Sequence, residues 1–134
     1  MAHISKDALK RKRRRAYFRG RVAEFLAASA LRMKGYHIVA RGYRKPFGEI
    51  DIIARRNNLL VAVEVKARPR IAEAAEAVSP KQKRRISRAL EAFVMERPKF
   101  NDFNIRFDVL LITSFWQWPR HIEGAWEEES RRPF

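Results

Sequence analysis

The chain contains no cysteine in 134 residues. That absence excludes a disulfide framework, a thiolate metal site and a cysteine nucleophile, and it fits a reducing compartment. No apolar run approaches the roughly 18 residues needed to span a bilayer. The opening MAHISKDALKRKRRR is charged but lacks the apolar stretch of a signal peptide. A soluble, cytoplasmic protein without a membrane span is therefore expected. Histidine is scarce: His3, His37 and His121 are scattered without metal-ligand spacing and read as surface or packed side chains. There is no Gly-rich phosphate loop and no G-x-S-x-G elbow, so nucleotide-cradling and serine-hydrolase chemistry have no foothold.

Acidic residues are also in short supply. Thirty Lys and Arg stand against fifteen Asp and Glu, a formal charge of +15 and a pI near 11.2. Such a chain is drawn to polyanions, nucleic acid first and anionic membrane second. The length suits one domain, and 46% hydrophobic residues supply a core. Lys10, Arg11, Lys12, Arg13, Arg14 and Arg15 are consecutive cations. Like charges repel, so residues 1–15 are expected as a disordered basic tail that follows a phosphate backbone. The domain is expected over 16–126, with a C-terminal tail at 127–134.

Periodicity predicts a helix over Tyr17–Lys34, with Phe18, Val22, Phe25, Leu26, Ser29 and Met33 on the apolar stripe and Gly35 ending it. A strand is predicted over 36–44, a turn at Pro46–Gly48, and strands over Ile50–Arg55 and Leu59–Arg68 about an Asn57-Asn58 turn. Residues 72–78 are ambiguous. Ser79-Pro80 starts a helix that Pro98 ends, with Ile86, Leu90 and Phe93 facing the sheet. Strands at 105–113 and 121–126 follow. The resulting order, α-β-β-β-α-β-β, is an α/β fold: a mixed central sheet flanked by helices.

The stretch GEIDIIARRNNLLVAVEVKAR sets Glu49, Asp51, Glu64 and Lys66 into otherwise apolar strands. A two-residue turn pairs positions whose numbers sum to 115, placing Asp51 opposite Glu64 and Glu49 opposite Lys66. Alternation then puts all four on one face, with Ile50, Ile52, Val61, Val63 and Val65 on the other. Opposed carboxylates repel at about 5 Å between Cβ atoms. A divalent cation resolves the conflict; Mg²⁺ takes one or two carboxylates and keeps several waters. The plainer reading is a solvated face with a cross-strand ion pair. Gln82 lies on the stripe of the second helix and approaches the charged patch, or is satisfied by backbone. Glu24 lies between apolar neighbours Tyr17, Ala28 and Leu31 and needs a partner, Arg21 or a metal. Lys81, Lys83, Arg84 and Arg85 stud the second helix as phosphate contacts. Phe115, Trp116 and Trp118 read first as buried against the sheet edge; stacked bases and a homodimer interface are the alternatives.

Asp51, the hairpin, Glu64-Val65-Lys66 and a following helix with Gln82 together resemble the PD-(D/E)xK nuclease superfamily. GEIDIIA, VEVKAR, EAVSPKQKRRI and RFDVLLI in this order look more specifically like the YraN family, distant relatives of Holliday-junction resolvases. Ile50 stands where the superfamily name has proline. The resemblance covers about residues 16–126. It implies a restriction-endonuclease-like core and Mg²⁺ or Mn²⁺ held by Asp51 and Glu64, with the Val65 carbonyl and Glu24 as further ligands. It also implies Lys66 as the group that orients or deprotonates water, and Gln82 as support. Glu49 would instead neutralise Lys66. Three functions follow: a metal-dependent endonuclease on branched or structured DNA, a non-catalytic nucleic-acid-binding module that keeps the fold, or an adaptor whose tail docks on anionic partners.

Overall fold

The computed structural model describes residues 5–68, 78–114 and 116–127, without the side chains of 15–19. The ambiguous stretch at 72–77, Phe115 and the residues after Glu127 lie outside them. The elements are α1 (Lys6–Met33), β1 (His37–Lys45), β2 (Gly48–Arg56), β3 (Leu59–Ala67), α2 (Pro80–Glu96), a short 3-10 turn (Pro98–Phe100), β4 (Asn104–Ile112) and β5 (Arg120–Trp126). The order is the one expected, and the five strands lie side by side as β1-β2-β3-β4-β5. Only β3 and β4 run parallel, the connection that α2 bridges. The mixed sheet between two helices is consistent with a restriction-endonuclease-like core. Among the described residues no helix is long and apolar enough to cross a membrane.

α1 corrects the expectation of a disordered basic tail. The helix starts at Lys6, not Tyr17. Ser5 caps it by accepting from the Ala8 N–H at 3.1 Å, and Asp7 lies in the first turn, where a negative charge is favoured. Lys, Arg and Ala are strong helix formers, and this local preference outweighs the charge repulsion. Lys10 to Arg14 are exposed along this extension. At the other end Gly35 takes φ +89°, and the Tyr36 N–H returns to the Leu31 carbonyl at 3.0 Å. The left-handed conformation is why glycine stands there.

The buried stripe of α1 is not the predicted one. Phe25 and Met33 are exposed, while Ala23, Ala27, Ala28, Ala30 and Leu31 are buried. Small side chains let the helix axis approach the sheet, where Ala27, Ala28, Leu31 and Tyr36 pack on Ile52, Ala54, Val61, Val63 and Leu110. The other face follows expectation: Ile86, Leu90 and Phe93 of α2 cover Ile53, Leu60, Ala62, Phe107 and Val109. Ile50 belongs to this second cluster, not with Ile52 as alternation suggested. The side chains therefore switch faces around Asp51.

Gly48 determines how α2 meets β2. A Cβ on Gly48 would overlap the Arg85 carbonyl oxygen of α2, so only glycine lets the strand pass beneath the helix backbone. Gly48→Ala is expected to destabilise the fold by about 1–3 kcal/mol, the usual range for overpacking, because the obstructing atom is backbone. Chemical denaturation of both proteins measures this; equal midpoints would show that α2 shifts freely.

Candidate active site

The expected register holds along the hairpin: Arg56 faces Leu59 and Ile52 faces Val63. Asn57, at φ 56°, makes the turn. The β2–β3 ladder then stops, and Asp51 and Glu64 do not form its next rung. Instead the Asp51 Oδ2 accepts the Val65 N–H at 2.8 Å. A carboxylate thus takes the place of a strand carbonyl. N–H and C=O of one strand residue point to the same edge, so the Val65 carbonyl faces the opened gap beside Asp51. β3 meanwhile keeps its parallel pairing with β4 through Ala67↔Ile112.

Around this opening the structure brings Asp51, Glu64 and Lys66 together. Lys66 Nζ lies 3.5 Å from Glu64 Oε1, and the two side chains are 14% and 12% exposed. Burial pushes the Glu64 carboxyl up from 4.5 to about 8, with the Asp51 charge adding to the shift and Lys66 opposing it. Asp51 is raised too, chiefly by burial and further by Glu24, while the Val65 N–H and Lys66 hold it back. Two neighbouring carboxyls whose charged forms burial and mutual repulsion both disfavour make a site short of positive charge.

The remaining candidates take different places. Glu49 is not the partner of Lys66: it pairs with Arg44 at 3.3 Å, on the surface, although it lines a cleft of about 60 Å³ with Glu64, Gln82, Arg85 and Ile86. That volume holds several waters. Gln82 thus reaches the site, as expected, while its Oε1 also accepts the Ser79 N–H at 3.3 Å in a capping box. Glu24 sits on the sheet-facing stripe of α1 near enough to act on Asp51, with Arg41 as its ion-pair partner at 3.9 Å. Among the described residues no three His, Cys, Asp or Glu side chains converge on one point. Two carboxylates, a carbonyl turned towards them and a cleft with room for several waters suit Mg²⁺ or Mn²⁺, which keep waters, better than zinc, which wants a full side-chain set. Lys81, Arg84 and Arg85 are exposed on α2, and Lys83 is half-buried, 5.8 Å from the Trp126 ring.

Sequence reasoning missed Asp108, the one buried charged residue among those described. Burial alone would raise its carboxyl; Arg106, His121 and the Gly124 N–H together hold it below the usual carboxylate range. Arg106 donates twice, at 2.8 and 2.7 Å, and also to the Tyr36 hydroxyl at 2.6 Å. His121 is no surface histidine: its Nε2 lies 2.7 Å from Asp108 Oδ2 and its Nδ1 2.7 Å from Lys34 Nζ. Lysine only donates, so Nδ1 accepts and Nε2 carries the proton towards Asp108. Asp108 pairs with Val63 and Glu64 with Val109, so Asp108 is on the opposite face of the sheet from Glu64. It ties β4, β5 and the end of α1 together. The available signal was an aspartate within the apolar run of RFDVLLI.

Fold and site define an α/β chain with a restriction-endonuclease-like core and an Asp-Glu-Lys cluster where two strands part. The family model described as "Uncharacterised protein family UPF0102", which is the YraN family, matches residues 23–112. The chain belongs to that family. It is 46% identical to the UPF0102 protein of Mesorhizobium japonicum over 84% of this chain and 90% of that one. It is 49% identical to the UPF0102 protein of Rhodopseudomonas palustris strain BisB18, over 84% and 82%. The Nitrobacter winogradskyi UPF0102 protein is 48% identical, over 84% and 94%.

Because folding raises the Glu64 value, the native state binds more protons than the unfolded chain between 4.5 and about 8. Stability should therefore fall as pH rises through that window, with the metal-free protein weakest above it. Glu64→Gln should flatten the decline. Thermal melting in a chelator across this range is the measurement, and an identical slope in both proteins would contradict the burial argument.

Proposed function

We propose that the protein is a divalent-metal-dependent endonuclease that hydrolyses DNA phosphodiesters, with branched or structured DNA as its substrate. The observation that carries this reading is the convergence of Asp51 and Glu64, both raised in pKa, beside Lys66 at the end of the β2–β3 ladder.

Hydrolysis forms a P–O bond from water and breaks the P–O bond to the leaving alkoxide. Asp51, Glu64 and the Val65 carbonyl are the residues that would hold Mg²⁺ or Mn²⁺. When bound, the cation acts as a Lewis acid and lowers the pKa of a coordinated water. Lys66 offers its ammonium to the non-bridging oxygens, where charge grows in the transition state, and orients the attacking water. A fixed charge in a half-buried site is worth more than one in solvent. Glu64 and Lys66, two apart on β3, project to one face and so address one phosphate. The Gln82 side chain closes the cleft wall. Lys10 to Arg14, Lys81, Arg84 and Arg85, all exposed, supply a salt-dependent attraction to the phosphate backbone.

Lys66→Ala should leave the fold intact and slow cleavage at least ~10²-fold, the lower range for one lost electrostatic stabiliser. Asp51→Asn and Glu64→Gln should weaken Mn²⁺ binding in calorimetry and abolish cleavage while DNA binding survives. Single-turnover cleavage of junction, flap and single-stranded substrates with Mg²⁺ or Mn²⁺ tests the reading. A wild type that binds these DNAs and never cuts any would favour the non-catalytic binding module.

A further inference from the structure

Trp116 and Trp118 stand in the connection between β4 and β5, and they are not buried against the sheet edge. The two residues are 87% and 60% exposed. We infer that they form a stacking platform for unpaired nucleobases, placed beside the Asp51–Glu64–Lys66 cluster. This rests on the nuclease reading for its purpose but not for its test.

The topology brings the loop to the cluster. Because β3 and β4 are parallel, both strands end at the same edge of the sheet, and the β4–β5 connection begins there. Lys66 pairs with Leu111, and Leu111 with Arg120, so Lys66 lies two strands from the first residue after the loop. One residue further on, Ala67 pairs with Ile112, and the Arg68 N–H donates to the Ile112 carbonyl at 3.1 Å. The tryptophans follow within six residues of Ile112. A hydrogen bond from the Thr113 hydroxyl to Gln117 Oε1, 2.8 Å, ties the turn, and buried Pro119 anchors its return.

Chemistry selects the occupant. Two indoles in solvent cost free energy that burial elsewhere would recover, and the loop gives them no shelter. Their flanks are cationic: Arg68 lies just past the end of β3, bonded to the end of β4 through Ile112, and exposed Arg120 follows them. Exposed aromatics on a loop with arginines at the neighbouring strand ends match a strand whose bases stack while its phosphates meet Arg. A paired duplex hides the faces of its bases, so it offers the platform little. Bases at a flap, gap or junction are open to it. The platform thus specifies the substrate class: DNA with unpaired nucleotides next to the scissile phosphate.

The test is binding without cleavage. Full-length protein in chelator is titrated with a labelled single strand of about 16 nucleotides, the upper range of one binding fold's site, and with the blunt duplex made from it. Tryptophan emission is expected to be quenched by the single strand. The double variant Trp116→Ala, Trp118→Ala should lose between about fivefold and a hundredfold in single-strand affinity and less than about twofold on duplex. Trp116→Phe with Trp118→Phe should retain most of the single-strand affinity, since the stacking face survives. Equal losses on both DNAs, an unchanged single-strand affinity, or a change in sedimentation with no change in binding would each overturn the inference, the last in favour of a contact between copies of the chain. A wild type that is quenched by single strands and never cuts DNA leaves the platform standing and removes the nuclease. One that cuts duplex and flap alike, with no quenching, does the reverse.

Discussion

The hydrogen bond from the Val65 N–H to Asp51 is the constraint on which the site depends. A regular hairpin would have continued its ladder and consumed the Val65 N–H and C=O between strands. By inserting a carboxylate, β2 ends the pairing early while β3 remains fastened to β4. The gap has one backbone carbonyl turned towards it and crowds two acids into a half-buried space. Burial then discourages the charge of both. The same bond keeps Asp51 from turning out to solvent, so the strain between the acids cannot relax by a simple rotamer change.

Each flank of the sheet solves a different packing problem. On one side α1 approaches through alanines, which is how a carboxylate as short as Asp51 comes under the influence of Glu24 from the helix. On the other side α2 lies so close at Gly48 that no Cβ fits, and this brings Gln82 and Ile86 to the cleft beside Glu64. Close helix approach from both faces is what buries the acids.

Much of this was legible in the sequence. Alternation and the Asn57-Asn58 turn place the hairpin register, and Ser79-Pro80 the start of α2, because turn and cap chemistry are local. Local rules also explain the errors. Charge repulsion argued for disorder at Lys10–Arg15, yet the Ser5 cap and helix-forming side chains prevailed. Hydrophobicity chose Phe25 and Met33 for the core of α1, but the distance to the sheet chose alanine. Where Asp51 interrupts β2, alternation fails and Ile50 changes faces; a pattern of period two carries no sign of where a ladder stops. Glu49 was given to Lys66 on a rung that does not form, and it pairs across the other edge with Arg44. Asp108 and His121 were invisible as a pair because their contact depends on β5 folding back along β4.

That last contact gives the chain an acid limit. Asp108 folds with its carboxyl below the usual range, so its stabilisation is complete above the unfolded value of 3.8 and is lost as pH falls through the lower, folded one. Protonation there removes the negative charge that Arg106, His121 and the Gly124 N–H share, and turns one of the two accepting oxygens into a donor. Lys34, which leans on His121 and Glu123, then loses the frame that orients its neighbour. The acid-sensitive seam of the molecule therefore runs where β5 and the C-terminal end of α1 meet. The strand opening at Asp51 lies across the sheet from it, where acid instead relieves the crowding of the two carboxyls.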